Sequence, residues 1–325
     1  MIEFIVKKAE ANQTLEKYVR KVLSEAPLSF IYKLFRKKDI KVNGHWEKEK
    51  YLLSEDERVS IYITDAQLAE FKRKNVSSII EDISSWIIYE DDNILLINKP
   101  RGVLVQKDES NGRALDEMVI SYLSKKGEYN PNNDLGYKPA PAHRLDRNTC
   151  GIVVFGKNIA TLRVLADLLN DKSLVEKKYI TLVKGIITKD GEINAPLEKN
   201  SKNKRVFVSS NGKESITKYK VIKTVGEYTL LEVTLLTGRT HQIRVHMAYI
   251  NHPVVGDAKY GDYELNKMIE EKYHFKNQFL IAYCLTFKTI KNNVLSYLSN
   301  KSFKIDLPEE YSALLFKLGG NDYVS

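Results

Sequence analysis

The alternation of apolar and polar positions divides the chain before any chemistry is considered. From Thr14 to Glu25, Leu15, Tyr18, Val19, Val22 and Leu23 recur at helical spacing, with Thr14 placed to cap and Pro27 ending the run. A second helix is predicted to start from a Ser29 cap, with Ile31, Leu34 and Phe35 as its apolar face. DIKVNGHW reads as strand, Asn-Gly turn and return strand, and RVSIYI at 58–63 alternates as another strand. Residues 64–85 are mostly polar and charged without sustained alternation, which places a linker there. Beyond it, WIIYEDDNILLINKP predicts two short strands joined by an acidic turn, and Leu115, Met118, Val119, Tyr122 and Leu123 predict a helix. YKPAPAHRLDRNTCGIVVFG runs from extended chain through a polar loop into an apolar strand. A helix from about Asn158 follows, with Leu162, Leu165 and Leu169 on one face. KYITLVKG, TKYKVIKT and YTLLEVTLL carry the β-branched and aromatic content of strands.

Length and composition narrow the class. A chain of 325 residues, 43% hydrophobic and 29% charged, is long enough for two domains and reads as globular rather than disordered. The long apolar stretch from Ile79 to Ile97 is broken by Glu81, Asp82, Glu90, Asp91 and Asp92, so it is not expected to cross a bilayer. The N-terminus lacks the order of a secretion signal, which makes the cytoplasm the expected compartment. Cys150 and Cys284 stand alone, without metal-knuckle spacing, and are expected to be reduced core residues. His241 and His246 are five apart and HExxH is absent, so no metal is expected. Gly-rich phosphate loops are absent too, and no cofactor is expected.

A net charge of +9 attracts a polyanion, with a solvated basic surface as the bland alternative. Clustering bears on that choice. Lys33, Arg36, Lys37, Lys38 and Lys41, opposed only by Asp39, would form a phosphate-facing ridge, and Lys199, Lys202, Lys204 and Arg205 form a second basic cluster in a Ser/Asn-rich loop. IYKLFRKKDIKVNG resembles the small αL (S4-like) RNA-binding module first seen in a small-subunit ribosomal protein.

The loop His143-Arg144-Leu145-Asp146-Arg147 sets a carboxylate between two arginines. Taken alone, Asp146 is more readily a structural ion-pair partner or loop cap than a catalyst. AHRLDRNTCGIVVFGK, however, resembles the signature loop of the RluA family of pseudouridine synthases. VEKKYITLVKG, TGRTHQIRVH, NHPVVGDAKYG and IIYEDDNILLINKPRGVLV agree in the family's order, so the resemblance covers nearly the whole chain. The N-terminal module makes it more like the RluC branch than the shorter RluA one. The chain departs from the family at Gln106 and Ile281, where His is frequent.

The resemblance implies an α+β fold: a pseudouridine synthase domain over 86–325 with a mixed, mostly antiparallel central sheet, a small N-terminal αL RNA-binding domain over 1–63, and the linker 64–85 between them. It implies site-specific isomerisation of uridine to pseudouridine in RNA, with large-subunit (23S) ribosomal RNA as the expected partner and substrate. It also implies roles. Asp146 is the catalytic carboxylate, Tyr179 packs on the target base, and Arg244 pairs with Asp146, favouring its charged form and orienting it through the guanidinium fork. Arg144 fills the place of the flipped base, His143 and Arg147 support the loop or contact phosphate, and Leu285 lines the pocket. The reaction is an isomerisation and needs no cofactor. Transfer RNA is the nearest alternative substrate, and a non-catalytic RNA-binding or ribosome-assembly protein is the alternative of another class.

Overall fold

A computed structural model describes residues 1–72, 82–107, 112–131, 134, 136–200 and 204–319. The chain divides into two compact units, 1–96 with 106–142 and 154–167, and 97–105 with 143–153 and 168–325.

The first unit opens with β1 (Ile2–Ile5), α1 (Leu15–Val22), α2 (Leu28–Arg36), β2 (Ile40–Val42), β3 (His45–Trp46), β4 (Arg58–Ile61) and α3 (Asp65–Phe71). Their four strands lie in the order β1-β4-β2-β3, all antiparallel. Thr14 caps α1 through a bond from the Lys17 amide. The residues at helical spacing, Leu15, Tyr18, Val19 and Val22, pack with Ile31, Leu34 and Phe35 of α2 and with Val59 and Ile61 of β4. Each such buried side chain contributes about 1.5–3 kcal/mol. Asn43 and Gly44 both take positive φ, as a two-residue hairpin turn between twisted strands requires. The cap of α2 is not Ser29. Pro27 holds that position and its carbonyl receives the first amide bonds, which leaves Ser29 inside the first turn where a hydroxyl has no cap to make. Residues 65–71, within the polar stretch, are helical under a Thr64–Gln67 capping box, and Phe71 packs its ring on Phe30 at 4.8 Å. Residues 73–81 lie outside the description.

Continuing, β5 (Ile87–Glu90) and β6 (Ile94–Lys99) flank a turn closed by Asp91, whose carboxylate accepts the Asn93 and Ile94 amides. There follow α4 (Leu115–Lys125), β7 (Ala140–Pro141), β8 (Cys150–Gly156) and α5 (Ile159–Asn170). The chain passes from one unit into the other along β6, β8 and α5.

The second unit contains the catalytic-looking motifs. Its elements are β9 (Val175–Lys184), β10 (Gly191–Asn194), β11 (Leu197–Lys199), β12 (Val206–Val208), β13 (Ile216–Val225), β14 (Tyr228–Leu235), α6 (Gln242–Tyr249), α7 (Tyr263–Tyr273), β15 (Leu280–Phe287), β16 (Ser302–Lys304) and α8 (Glu309–Lys317). Its sheet runs β10-β13-β14-β9-β15-β8. Every pairing is antiparallel except β15 with the first half of β8, so the sheet is mixed and mostly antiparallel as the sequence implied. Gly151 permits that parallel contact: a Cβ there would meet the Ala282 carbonyl oxygen at 2.3 Å. Behind the sheet, Phe275, Phe279 and Tyr311 form an aromatic cluster with centroids 4.8 to 5.9 Å apart. Cys150 and Cys284 are buried and free. Among the described residues, no helix is long and apolar enough to cross a membrane.

Candidate active site

The loop 143–149, which leads into β8, is fastened from several sides within the second unit. The Arg147 carbonyl accepts bonds from the Gly102 amide at 2.9 Å and from the Lys99 ammonium at 3.1 Å, while Arg147 Nε donates to Gly102 O at 3.1 Å. Thr149 N donates to Asp146 O, and Gln278 Nε2 holds the Thr149 hydroxyl at 2.9 Å. Lys99 is wholly buried, and its ammonium also donates to the carbonyls of Pro100 and Val103. Burial pushes its pKa down to about 8 against the opposing pull of Cys150 and Asp146. Asp146 itself is left partly open, with 25% of its side chain exposed.

Helix α6 brings Arg244 to that carboxylate. On one helix face, Gln242 donates to Ile216 O and Thr217 Oγ1, and four residues on His246 bonds Thr217 Oγ1 and Ala195 O. Both His246 nitrogens are thereby occupied. Arg244 lies two residues from each and so projects from the opposite side of the helix. Its Nη1 donates to Asp146 Oδ2 at 2.7 Å.

The guanidinium fork, which the sequence led us to expect on Asp146, points elsewhere. Arg244 Nε and Nη2 grip both oxygens of Asp257 at 2.7 and 2.8 Å, and only the third nitrogen reaches Asp146. The reason is packing: Asp257, 1% exposed, presents two oxygens in the plane of the fork and also accepts the Lys259 and Tyr260 amides. Burial would raise its carboxyl, but the Arg244 hydrogen bonds and charge outweigh this and hold it below its ordinary value. Gly256 makes the turn possible, since at φ +75° a Cβ would fall 1.8 Å from the Asn277 carbonyl oxygen.

Tyr179, 6% exposed, lies in β9 opposite Val233 and Ala282. Burial, then the charge of Asp146, pushes its phenol well up, so the hydroxyl keeps its proton at neutral pH. Lys177 and its register partner Leu285 share the sheet face of Tyr179, and Leu285 is 1% exposed. Burial, then Lys172, brings Lys177 down to about 8.

Of the other expected residues, Arg144 and Arg147 are exposed. For His143, burial, then Lys177 and Lys172, pushes the imidazole well down, which suits the loop-supporting one of its two expected roles. Lys33, Arg36, Lys37 and Lys38 are exposed; Lys38 lies over the Trp46 ring and half-buried Lys41 over Tyr62. Lys204 and Arg205 are exposed beside β12, while Lys202 lies outside the described residues.

Sequence reasoning passed over Asp257, Lys99 and Tyr260, and weighed His241 only as a metal ligand. Asp257 and Tyr260 stood within the quoted turn NHPVVGDAKYG, where a carboxylate lies between two glycines. Lys99 ends an apolar strand, which signals a buried cation.

Comparison with known proteins agrees with this arrangement. Residues 93–249 match the RNA pseudouridylate synthase family. A ribosomal large subunit pseudouridine synthase C of Buchnera aphidicola is 34% identical, over 85% of this chain and 86% of its own. That of Escherichia coli is 35% identical, over 81% and 80%. An uncharacterized RNA pseudouridine synthase of Mycoplasma capricolum is 31% identical, over 93% and 96%. Among solved structures, human RNA pseudouridylate synthase domain containing 4 shares the fold, with TM-score 0.58 and 21% identity over 73% of this chain and 94% of that one.

Proposed function

This chain belongs to the RNA pseudouridylate synthase family, and we propose that it isomerises specific uridines of large-subunit (23S) ribosomal RNA, in the cytoplasm, with Asp146 as its catalytic carboxylate. The observation that carries the reading is the set of bonds at Arg244. A guanidinium anchored by two bonds to a buried carboxylate offers its one remaining direction to a second carboxylate that is open to a substrate. Such an arrangement orients a charged acid for reaction rather than merely pairing it away.

The reaction breaks the bond from ribose C1′ to uracil N1, turns the base and joins C1′ to C5; C5 then gives up its proton and N1 takes one up, so that no atom is gained or lost. Asp146 serves in its charged form by either of two routes, adding to the sugar or base, or removing the ribose 2′ proton to give a glycal. Tyr179 offers the uracil a flat face. Burial keeps its phenol protonated at neutral pH, so the hydroxyl stands in the pocket as a neutral group. The target must leave its stack, at a cost of a few kcal/mol. Exposed Arg144 is placed beside Asp146 in sequence to fill the gap.

The ridge from Lys33 to Lys41, in an S4-like module, and the cluster at Lys202, Lys204 and Arg205 would track RNA phosphates. Among the described residues, no carboxylate forms an ion pair with any of the five ridge cations, so their charge is available to phosphate. Relatives named for the ribosomal large subunit support that substrate over transfer RNA.

The test is pseudouridine mapping on ribosomal and transfer RNA from cells lacking the protein, complemented with wild type or Asp146→Ala. Specific 23S sites should vanish on deletion, return with wild type and stay absent with Asp146→Ala. An unchanged map would overturn the reading in favour of a non-catalytic RNA-binding protein, and sites lost only from transfer RNA would reassign the substrate.

A further inference from the structure

Resting on the reading of Asp146 as the catalytic carboxylate, we propose that His241 is a positioning residue for it, and that Tyr260 sets His241 in that role by turning the N–H edge of its imidazole toward the carboxylate.

His241 sits at the N-terminal end of α6 with φ 54° and ψ 21°, a left-handed conformation that few residues other than glycine adopt. This geometry brings its ring between two partners. Nδ1 is 2.8 Å from the Tyr260 hydroxyl, and Nε2 is 3.9 Å from Asp146 Oδ2, the oxygen that Arg244 also holds. The rings of His241 and Tyr260 meet edge to face at 5.4 Å.

The bond direction that the proposal assigns rests on the inventory of donors. The Val206 amide can only donate, and it donates to the Tyr260 oxygen at 3.0 Å. The phenol proton is then free for His241 Nδ1. Burial keeps the imidazole below its ordinary value; Asp146 pulls against this, Arg244 and Lys259 reinforce it, and Asp257 opposes it. A neutral imidazole has one N–H, and with Nδ1 accepting, that proton sits on Nε2, the edge facing Asp146. The present separation exceeds a hydrogen bond by about 1 Å, a gap of the kind that closes when a substrate is seated.

Tyr260 is itself held firmly. Arg244, Arg205 and Lys259 lie 5.1, 5.4 and 5.7 Å from its ring centroid, and its amide donates to Asp257. The Lys259 ammonium donates to Lys204 O at 2.9 Å. The basic segment 204–206 is thus joined at two points to the turn that positions Asp146, through Val206 to Tyr260 and through Lys204 to Lys259. The other titratable groups that act on Asp146 are Tyr179 from β9, Lys99 from β6 and Lys259 beside Tyr260, and none is altered by the substitutions below.

The test is the pH dependence of kcat/KM for pseudouridine formation on 23S RNA from cells lacking the protein, with thermal unfolding alongside. His241→Leu removes the N–H donor. It should lower kcat about tenfold and move the acid limb of the profile upward by roughly half a pH unit or more. His241→Gln places an amide N–H near the lost Nε2–H and should restore most of both. Tyr260→Phe keeps the ring among its cations but frees the tautomer, and should shift the acid limb in the same direction by less. An unshifted limb in both His241→Leu and Tyr260→Phe, or a Gln variant no better than Leu, overturns the proposal while leaving Asp146 as the catalyst. A wild-type protein that forms no pseudouridine, or an Asp146→Ala variant as active as wild type, overturns this proposal and the reading on which it rests.

Discussion

Cations serve opposite ends in two regions of this protein. In the second unit, Arg244 is 8% exposed, all three sides of its guanidinium are in use, and its partners are a buried and a half-open carboxylate. In the first unit, Lys33, Arg36, Lys37 and Lys38 stand in water, and the described residues offer them no carboxylate within ion-pair distance. A buried charge must be matched by bonds or it destabilises the fold, so it becomes an instrument of orientation. An exposed charge costs little and reaches no fixed geometry, so it becomes an instrument of attraction, weakened by salt. The difference separates the residues expected to set turnover from those expected to set affinity.

The sharpest way to break that distinction is at Arg244. Arg244→Met leaves a buried carboxylate without its partner and should destabilise the second unit by about 3–5 kcal/mol, read by urea unfolding. Turnover should fall by roughly a thousandfold or more in single-turnover assays under folded conditions. Retained activity in a folded Arg244→Met protein would show that orientation is not its task.

Asp257→Asn is milder, because the amide oxygen still accepts one bond from Arg244. It should cost about 1–3 kcal/mol and reduce kcat some tenfold to a hundredfold as the guanidinium loses its anchor, with KM little changed. The effect should also depend on pH. The Asp257 carboxyl is held below its ordinary 3.8 in the folded protein, so its contribution is complete above that value and drains away as pH falls through the folded value. The stability gap between wild type and Asp257→Asn should therefore narrow between pH 7 and pH 3, as urea titrations at the two pH values would reveal.

The smallest effect on chemistry belongs to the ridge. Lys33→Ala, Lys37→Ala and Lys38→Ala combined should leave kcat and melting temperature nearly unchanged. The same variant should raise KM and reduce the slope of log affinity against log salt by about one for each phosphate that is no longer neutralised. A fall in kcat with no change in salt slope would assign the ridge an orienting role and erase the contrast with Arg244.

Much of the fold was legible because short-range pattern decides it. The helical spacing of Leu15 to Val22, the Asn43-Gly44 turn and the β-branched runs of β9, β13 and β14 each depend on neighbours in sequence. The cap of α2 was misplaced for an equally local reason: a serine is the better cap chemically, but Pro27 ends the preceding turn and takes the position first.

The site divides along the same line. The loop around Asp146, the tyrosine at 179 and the arginine at 244 were identifiable as residue types in ordered motifs. By itself, then, the sequence determined which side chains are present and which local elements carry them. Beyond the pairing of Arg244 with Asp146 that the resemblance implied, only the tertiary structure decided which of them meet. Asp257 lies 13 residues from Arg244 and Asp146 lies 98, and no periodicity relates such separations. It took α6 pinned by Gln242 and His246, a glycine turn under Asp257 and a left-handed His241 to bring those groups to one point. Burial then completed what sequence could not specify, turning His143 neutral and directing the arginine fork to the carboxylate that water cannot reach.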